Sequence, residues 1–160
     1  DTTISAYALK NNYQNSPFTE ATYVFTAAGA PLPDISIYEY ENEIIEYPEE
    51  DSPAWIVQKI LELGIQDKVD QALTYFSSEY LYNYTAISSF KRYNWITFVK
   101  RVDKYILDQA KTSFKITRTD LDQSGNQSLK YFIYMENEMP KPITLERQAD
   151  GTFLITGFGL

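Results

Sequence analysis

The chain has 160 residues, 14 basic and 22 acidic side chains, a net charge of −8, and neither cysteine nor histidine. That length suits one domain burying about 70% of the surface its unfolded chain exposes, and a hydrophobic content of 44% argues against wholesale disorder. The two missing residue types exclude disulfides, thiol nucleophiles, cysteine zinc sites, Ser-His-Asp triads and histidine-ligated haem. The acidic balance argues against a nucleic-acid partner, which needs clustered Lys and Arg.

Residues 1–33 are polar and turn-rich, and little in the first dozen would hold them in order. Within them the apolar run Ala21–Ala28 reads as a strand. Alternation over Ile35–Tyr40 predicts a second strand, extended by Ile44 and Ile45. A helix start follows, with Ser52 as cap and Pro53 at the first helical position, where a missing N–H costs nothing. Ile56, Val57, Ile60 and Leu61 form its apolar face, and Gly64 reads as its stop. A second short helix starts near Asp67, with Val69, Ala72, Leu73 and Phe76 on one side. After the tyrosine-dense link Tyr80–Tyr84, the rhythm of Trp95, Phe98, Val99, Val102, Tyr105 and Ile106 predicts a third helix over Ser89–Ala110.

The last third changes period from 3.6 to 2. Phe114 and Ile116 alternate with polar neighbours, Asp122–Asn126 is a turn signal, and Leu129, Tyr131, Ile133 and Met135 alternate again. Ile143 and Leu145 mark a short strand and Ala149-Asp150-Gly151 a hairpin turn. In the final strand Phe153, Ile155 and Gly157 alternate with Leu154, Thr156 and Phe158. Helices followed by strands imply an α+β domain with helices on an antiparallel sheet.

Two stretches carry a likeness to a known superfamily. Ser52–Leu61 (SPAWIVQKIL) followed by Lys68–Phe76 (KVDQALTYF) looks like its opening helix pair. Ile143–Arg147, Asp150-Gly151 and Thr152–Gly157 look like its closing hairpin. Residues 52–160 thus resemble the nuclear transport factor 2-like (cystatin-like) superfamily. The resemblance implies helices packed on a strongly bent antiparallel sheet around a cone-shaped cavity. Residues 1–51 would then be an N-terminal extension of strands or loops packed on that domain. The chain looks more like exported bacterial lipoproteins of unknown function than like the superfamily's enzymes. Periplasmic or cell-surface placement is therefore expected, the cytoplasm being the alternative.

Fourteen tyrosines point to binding, since a phenol joins apolar area to a hydroxyl. A cavity lined by Trp95, Phe98 and Tyr131, with Tyr80 and Tyr82 nearby, is the expected ligand site. The acids at Asp34, Glu39, Glu41, Glu43, Glu46 and Glu49–Asp51 lack the spacing of a calcium loop and read as a solvated face. Lys100, Arg101 and Lys104 read as the solvent side of the third helix. Enzymes resembling this fold usually place an Asp, often with Tyr or His, inside the cone, as ketosteroid isomerase does. Residues 114–118 and 129–135 hold no acid. The expectation is a non-catalytic binding or interaction domain, using the aromatic concavity or the sheet face, for a protein, peptide or small ligand. No catalytic residue, metal or cofactor is expected, and a homodimer is among the possible partners. A small lyase or isomerase with a buried Asp and Tyr, and a structural or assembly module, remain the alternatives.

Overall fold

The computed structural model describes residues 2–6, 19–23, 34–122 and 127–160. The far end of the expected strand at Ala21–Ala28, and most of the turn at Asp122–Asn126, lie outside these. The chain forms two compact units, Asp1–Leu32 and Pro33–Leu160. In the first, β1 (Thr2–Ala6) pairs antiparallel with β2 (Thr19–Tyr23). The second begins well before Ser52, and residues 33–51 contribute Ile35 and Ile45 to its core.

The larger unit is α+β: helices pack against a six-stranded antiparallel sheet that does not close into a barrel. Its strands are β3 (Glu43–Ile45), β4 (Ile106–Asp108), β5 (Ser113–Asp122), β6 (Ser128–Ile133), β7 (Lys141–Arg147) and β8 (Phe153–Phe158). The order is β3-β5-β6-β7-β8, with β4 also on β5. Helix α1 (Pro53–Ile65) starts as expected, the Ser52 hydroxyl accepting from the Trp55 N–H at 3.2 Å. Its face of Ile56, Val57, Ile60 and Leu61 is fully buried. Gly64 is not the stop. The helix ends on Asp67 in the left-handed region (φ 52°), with Asp67 N–H donating to the Gly64 carbonyl and Lys68 N–H to that of Leu63. This is the paired-bond arrangement a glycine usually closes. Asp67 replaces it because its carboxylate also accepts from the Trp95 indole at 2.9 Å.

Helix α2 (Val69–Ala72) is followed by a 3₁₀ turn at Leu73–Tyr75. The expected third helix lies further upstream than its apolar rhythm indicated. It runs as α3 (Tyr84–Ser89), a π-helical segment (Phe90–Trp95) and α4 (Ile96–Val99). Val102–Tyr105 is then 3₁₀, and Ile106–Asp108 is strand β4. Trp95, Phe98, Val102 and Tyr105 are all buried, because an α-helix returns a side chain to the same face after three or four residues and a 3₁₀-helix after three. Ile35–Tyr38 is a 3₁₀ turn rather than a strand: Asp34 accepts from the Ser36 N–H at 2.9 Å, a local bond that competes with extension.

Two irregularities re-aim the sheet. Between β5 and β6 the register slips around Thr117, and between β7 and β8 around Thr156. Each extra residue flips the alternation beyond it and increases twist. Phe158 therefore points inward and Gly157 outward, the reverse of simple alternation from Phe153 and Ile155. No helix among the described residues is long and apolar enough to cross a membrane.

Candidate functional site

The space between helices and sheet is filled by the side chains expected to line a ligand cavity. Trp95, Phe98 and Tyr131 are at most 2% exposed and belong to one continuous core. Trp95 and Phe98 pack with ring centroids 5.3 Å apart, and Phe158 closes on Phe98 at 5.3 Å and on Phe90 at 5.4 Å. Tyr80 reaches this cluster through Phe76, stacked at 5.9 Å. Tyr131 sits elsewhere in the core, beside Tyr40 at 5.8 Å, and donates its hydroxyl to the Tyr38 carbonyl at 2.8 Å. Burial, then the nearby Tyr40 and Tyr38, push its phenol well above the usual range. Tyr82 stands apart, 73% exposed. The structure thus gathers Trp95, Phe98 and Tyr80 into one aromatic cluster.

Polar chemistry inside the core is sparse. The buried polar side chains among the described residues are Ser52, Gln58, Ser77, Thr112, Ser113, Thr119 and Arg147, with no carboxylate. Gln58 donates to the carbonyls of Glu46 and Lys111 at 3.0 and 3.1 Å, tying α1 to the loops on either side. Tyr105 is fully buried and its hydroxyl has no partner among the described residues. Burial, against the lowering effect of Arg101, pushes its phenol up to about 12. No group of three or more acids among the described residues converges to hold a metal. The acidic stretch is largely exposed, and Glu46 pairs with Lys111 at 2.8 Å.

The outer face of the sheet is different. Leu129, Tyr131 and Ile133 point inward, so Lys130 and Phe132 point outward. Strand register aligns them in rows across the sheet. One row is Arg118, Phe132 and Pro142; the next is Asp120, Lys130, Thr144 and Gly157. The Arg118 guanidinium lies 3.9 Å from the Phe132 ring centroid, a cation–π contact that shields one side of the aromatic ring. Between these rows runs an open trough of about 350 Å³, lined by Lys130, Phe132, Pro142, Thr144, Gly157, Phe158 and Gly159. Two glycines keep it open. A Cβ on Gly157 would stand 3.0 Å from the Thr144 hydroxyl, and one on Gly159 would stand 2.9 Å from the Pro142 carbonyl.

The arrangement presents an apolar floor, a lysine and a threonine hydroxyl in one shallow channel. That suits noncovalent contact with a chain or ring laid across the strands. Sequence reasoning named the sheet face but none of these residues. The outward alternation of Lys130 and Phe132 was readable; the facing of Gly157 was not, because it depends on the bulge at Thr156. Compared with protein-family models, with curated proteins and with solved structures, the chain matches none.

Proposed function

We propose that this chain is a non-catalytic binding or interaction domain that works through the outer face of its sheet. The observation that carries this reading is the trough between Phe132, Thr144 and Gly157, open on the outer face of the sheet, while Trp95, Phe98 and Tyr131 are buried in the core. Its partner is a protein segment, a peptide or a small ligand, a second copy of the chain included. A likeness of residues 52–160 to the nuclear transport factor 2-like superfamily is part of the proposal, supported by the order of helices and antiparallel strands. Export from a bacterium belongs to the same reading and rests on the resemblance alone.

The test is selection of binders from a random peptide library on the folded chain, then competition with two variants. Thr144→Arg fills the trough from a half-buried outward position, and Tyr82→Ala alters an exposed tyrosine away from it. Peptides that lose binding to Thr144→Arg and keep it with Tyr82→Ala support the reading. Peptides indifferent to Thr144→Arg overturn it.

A further inference from the structure

We propose that a second cleft, on the helical side, binds the carboxylate-bearing ring of an acidic sugar. The site is independent of the sheet-face reading. It begins with the π-helical segment. In an α-helix, residues five apart lie about 140° apart around the axis, so Phe90 and Trp95 could not both face the core. The i→i+5 bonding of a π-helix stacks them instead, and both are buried, with ring centroids 6.3 Å apart. The same widening turns Arg92, Tyr93 and Asn94 out to solvent. There Arg92 and Tyr93 join Tyr84, Thr85, Ser88 and Ser89 around an open cleft of about 240 Å³.

Three properties of this cleft define its ligand. Tyr84 and Tyr93 are 85% and 63% exposed, two flat apolar rings held on a helix with no ring contact among the described residues. They suit the C–H face of a sugar, which needs aromatic area more than depth. The lining carries five hydroxyls, from two tyrosines, two serines and a threonine, and each can donate and accept. That favours a hydroxyl-rich ligand over an apolar acid. Finally, Arg92 has no ion-pair partner among the described residues, although acids outnumber bases 22 to 14. Arg101 and Arg118, by contrast, each pair with an acid. A single unpaired guanidinium matches one carboxylate in forked geometry, whereas a phosphate chain calls for several cations.

Calorimetric or NMR titration with a galacturonate tetramer, a neutral galactose tetramer and inorganic phosphate tests this. Saturable binding of the uronate is expected, about two- to fivefold tighter than of the neutral oligomer, as one solvent-exposed charge pair supplies. Arg92→Gln should remove that advantage, and Tyr84→Ala should weaken both sugars. Both positions are exposed, and an unchanged melting temperature confirms folding. Thr144→Arg should leave uronate binding intact, which separates this site from the trough on the sheet. Absence of saturable uronate binding overturns the proposal. So do equal affinities for the two oligomers, phosphate binding as tight as uronate, or indifference to Arg92→Gln.

Discussion

Gly64 sits inside α1, where it is conformationally unnecessary: alanine there would favour the helix by about 1 kcal/mol. The structure predicts the opposite sign for Gly64→Ala. A Cβ at this position would lie 2.5 Å from Phe98 Cε1 and 2.8 Å from Cζ, with Val102 Cγ2 at 3.2 Å. Relief requires the Phe98 ring to move, and that ring is fully buried between Trp95 and Phe158, with centroids 5.3 Å away on each side. Inserting a methyl group into such a site costs roughly 1–3 kcal/mol. A contact of 2.5 Å puts the cost in the upper part of that range, about 2–3 kcal/mol, so after the gain in helix propensity Gly64→Ala should destabilise the larger unit by about 1–2 kcal/mol. Urea denaturation followed by tryptophan fluorescence measures this as a lowered midpoint at unchanged slope. Phe98→Leu shortens the obstructing ring, so in a double-mutant cycle the pair should couple favourably by about 1 kcal/mol or more. A Gly64→Ala variant as stable as the parent, or a cycle with no coupling, would refute the claim that α1 and α4 meet through this glycine.

Further predictions follow from the polar groups around the core. Asp67→Asn keeps both the left-handed backbone and an acceptor for the Trp95 indole, and should be nearly neutral. Asp67→Gly relieves the backbone but orphans that N–H, and should lose about 1 kcal/mol net in the same urea assay. Tyr131→Phe and Tyr105→Phe should differ in sign: the first removes a hydroxyl bonded to the Tyr38 carbonyl and costs about 1 kcal/mol, while the second removes an unpartnered one and stabilises. Two stabilities moving in the same direction would contradict the assignment. Glu138 is held below its ordinary value of 4.5 by hydrogen bonds from Arg101 and Lys104. A depressed carboxyl stabilises the fold above the unfolded-state value and loses that contribution as pH falls through the folded one. Melting temperature should therefore fall below about pH 4.5 more steeply in the parent than in Glu138→Gln.

Some of this fold was readable in the residues, and the exceptions have physical causes. The start of α1 was explicit, since Ser52 and Pro53 satisfy the open N–H groups of a first turn. The inward set of β6 was explicit too, because Leu129, Tyr131 and Ile133 keep strict alternation. Ile35–Tyr38 misled because alternation can be written by a short turn: Ile35 is buried while Ile37, two residues on, is 59% exposed. The π-helical segment had a signal in the five-residue spacing of Phe90 and Trp95, which only a widened turn can bury together. Among the ligand-site candidates, aromatic character went with burial at Trp95, Phe98 and Tyr131 but not at Tyr82, which is 73% exposed. It carried no information on whether the rings would surround a cavity or fill it. The trough residues were hidden for another reason: a register slip at Thr156 decides which way Gly157 and Phe158 face, and nothing local to those residues records it.

We propose that partners engage the outer sheet face. The most direct test is heteronuclear NMR of the labelled chain during titration with a peptide selected on it. The largest shift changes are expected at Lys130, Phe132, Thr144, Gly157 and Gly159, with the Trp95 indole unmoved. Shifts centred on Trp95, Phe98 and Tyr131 would show that the core opens to admit the ligand, and would contradict it.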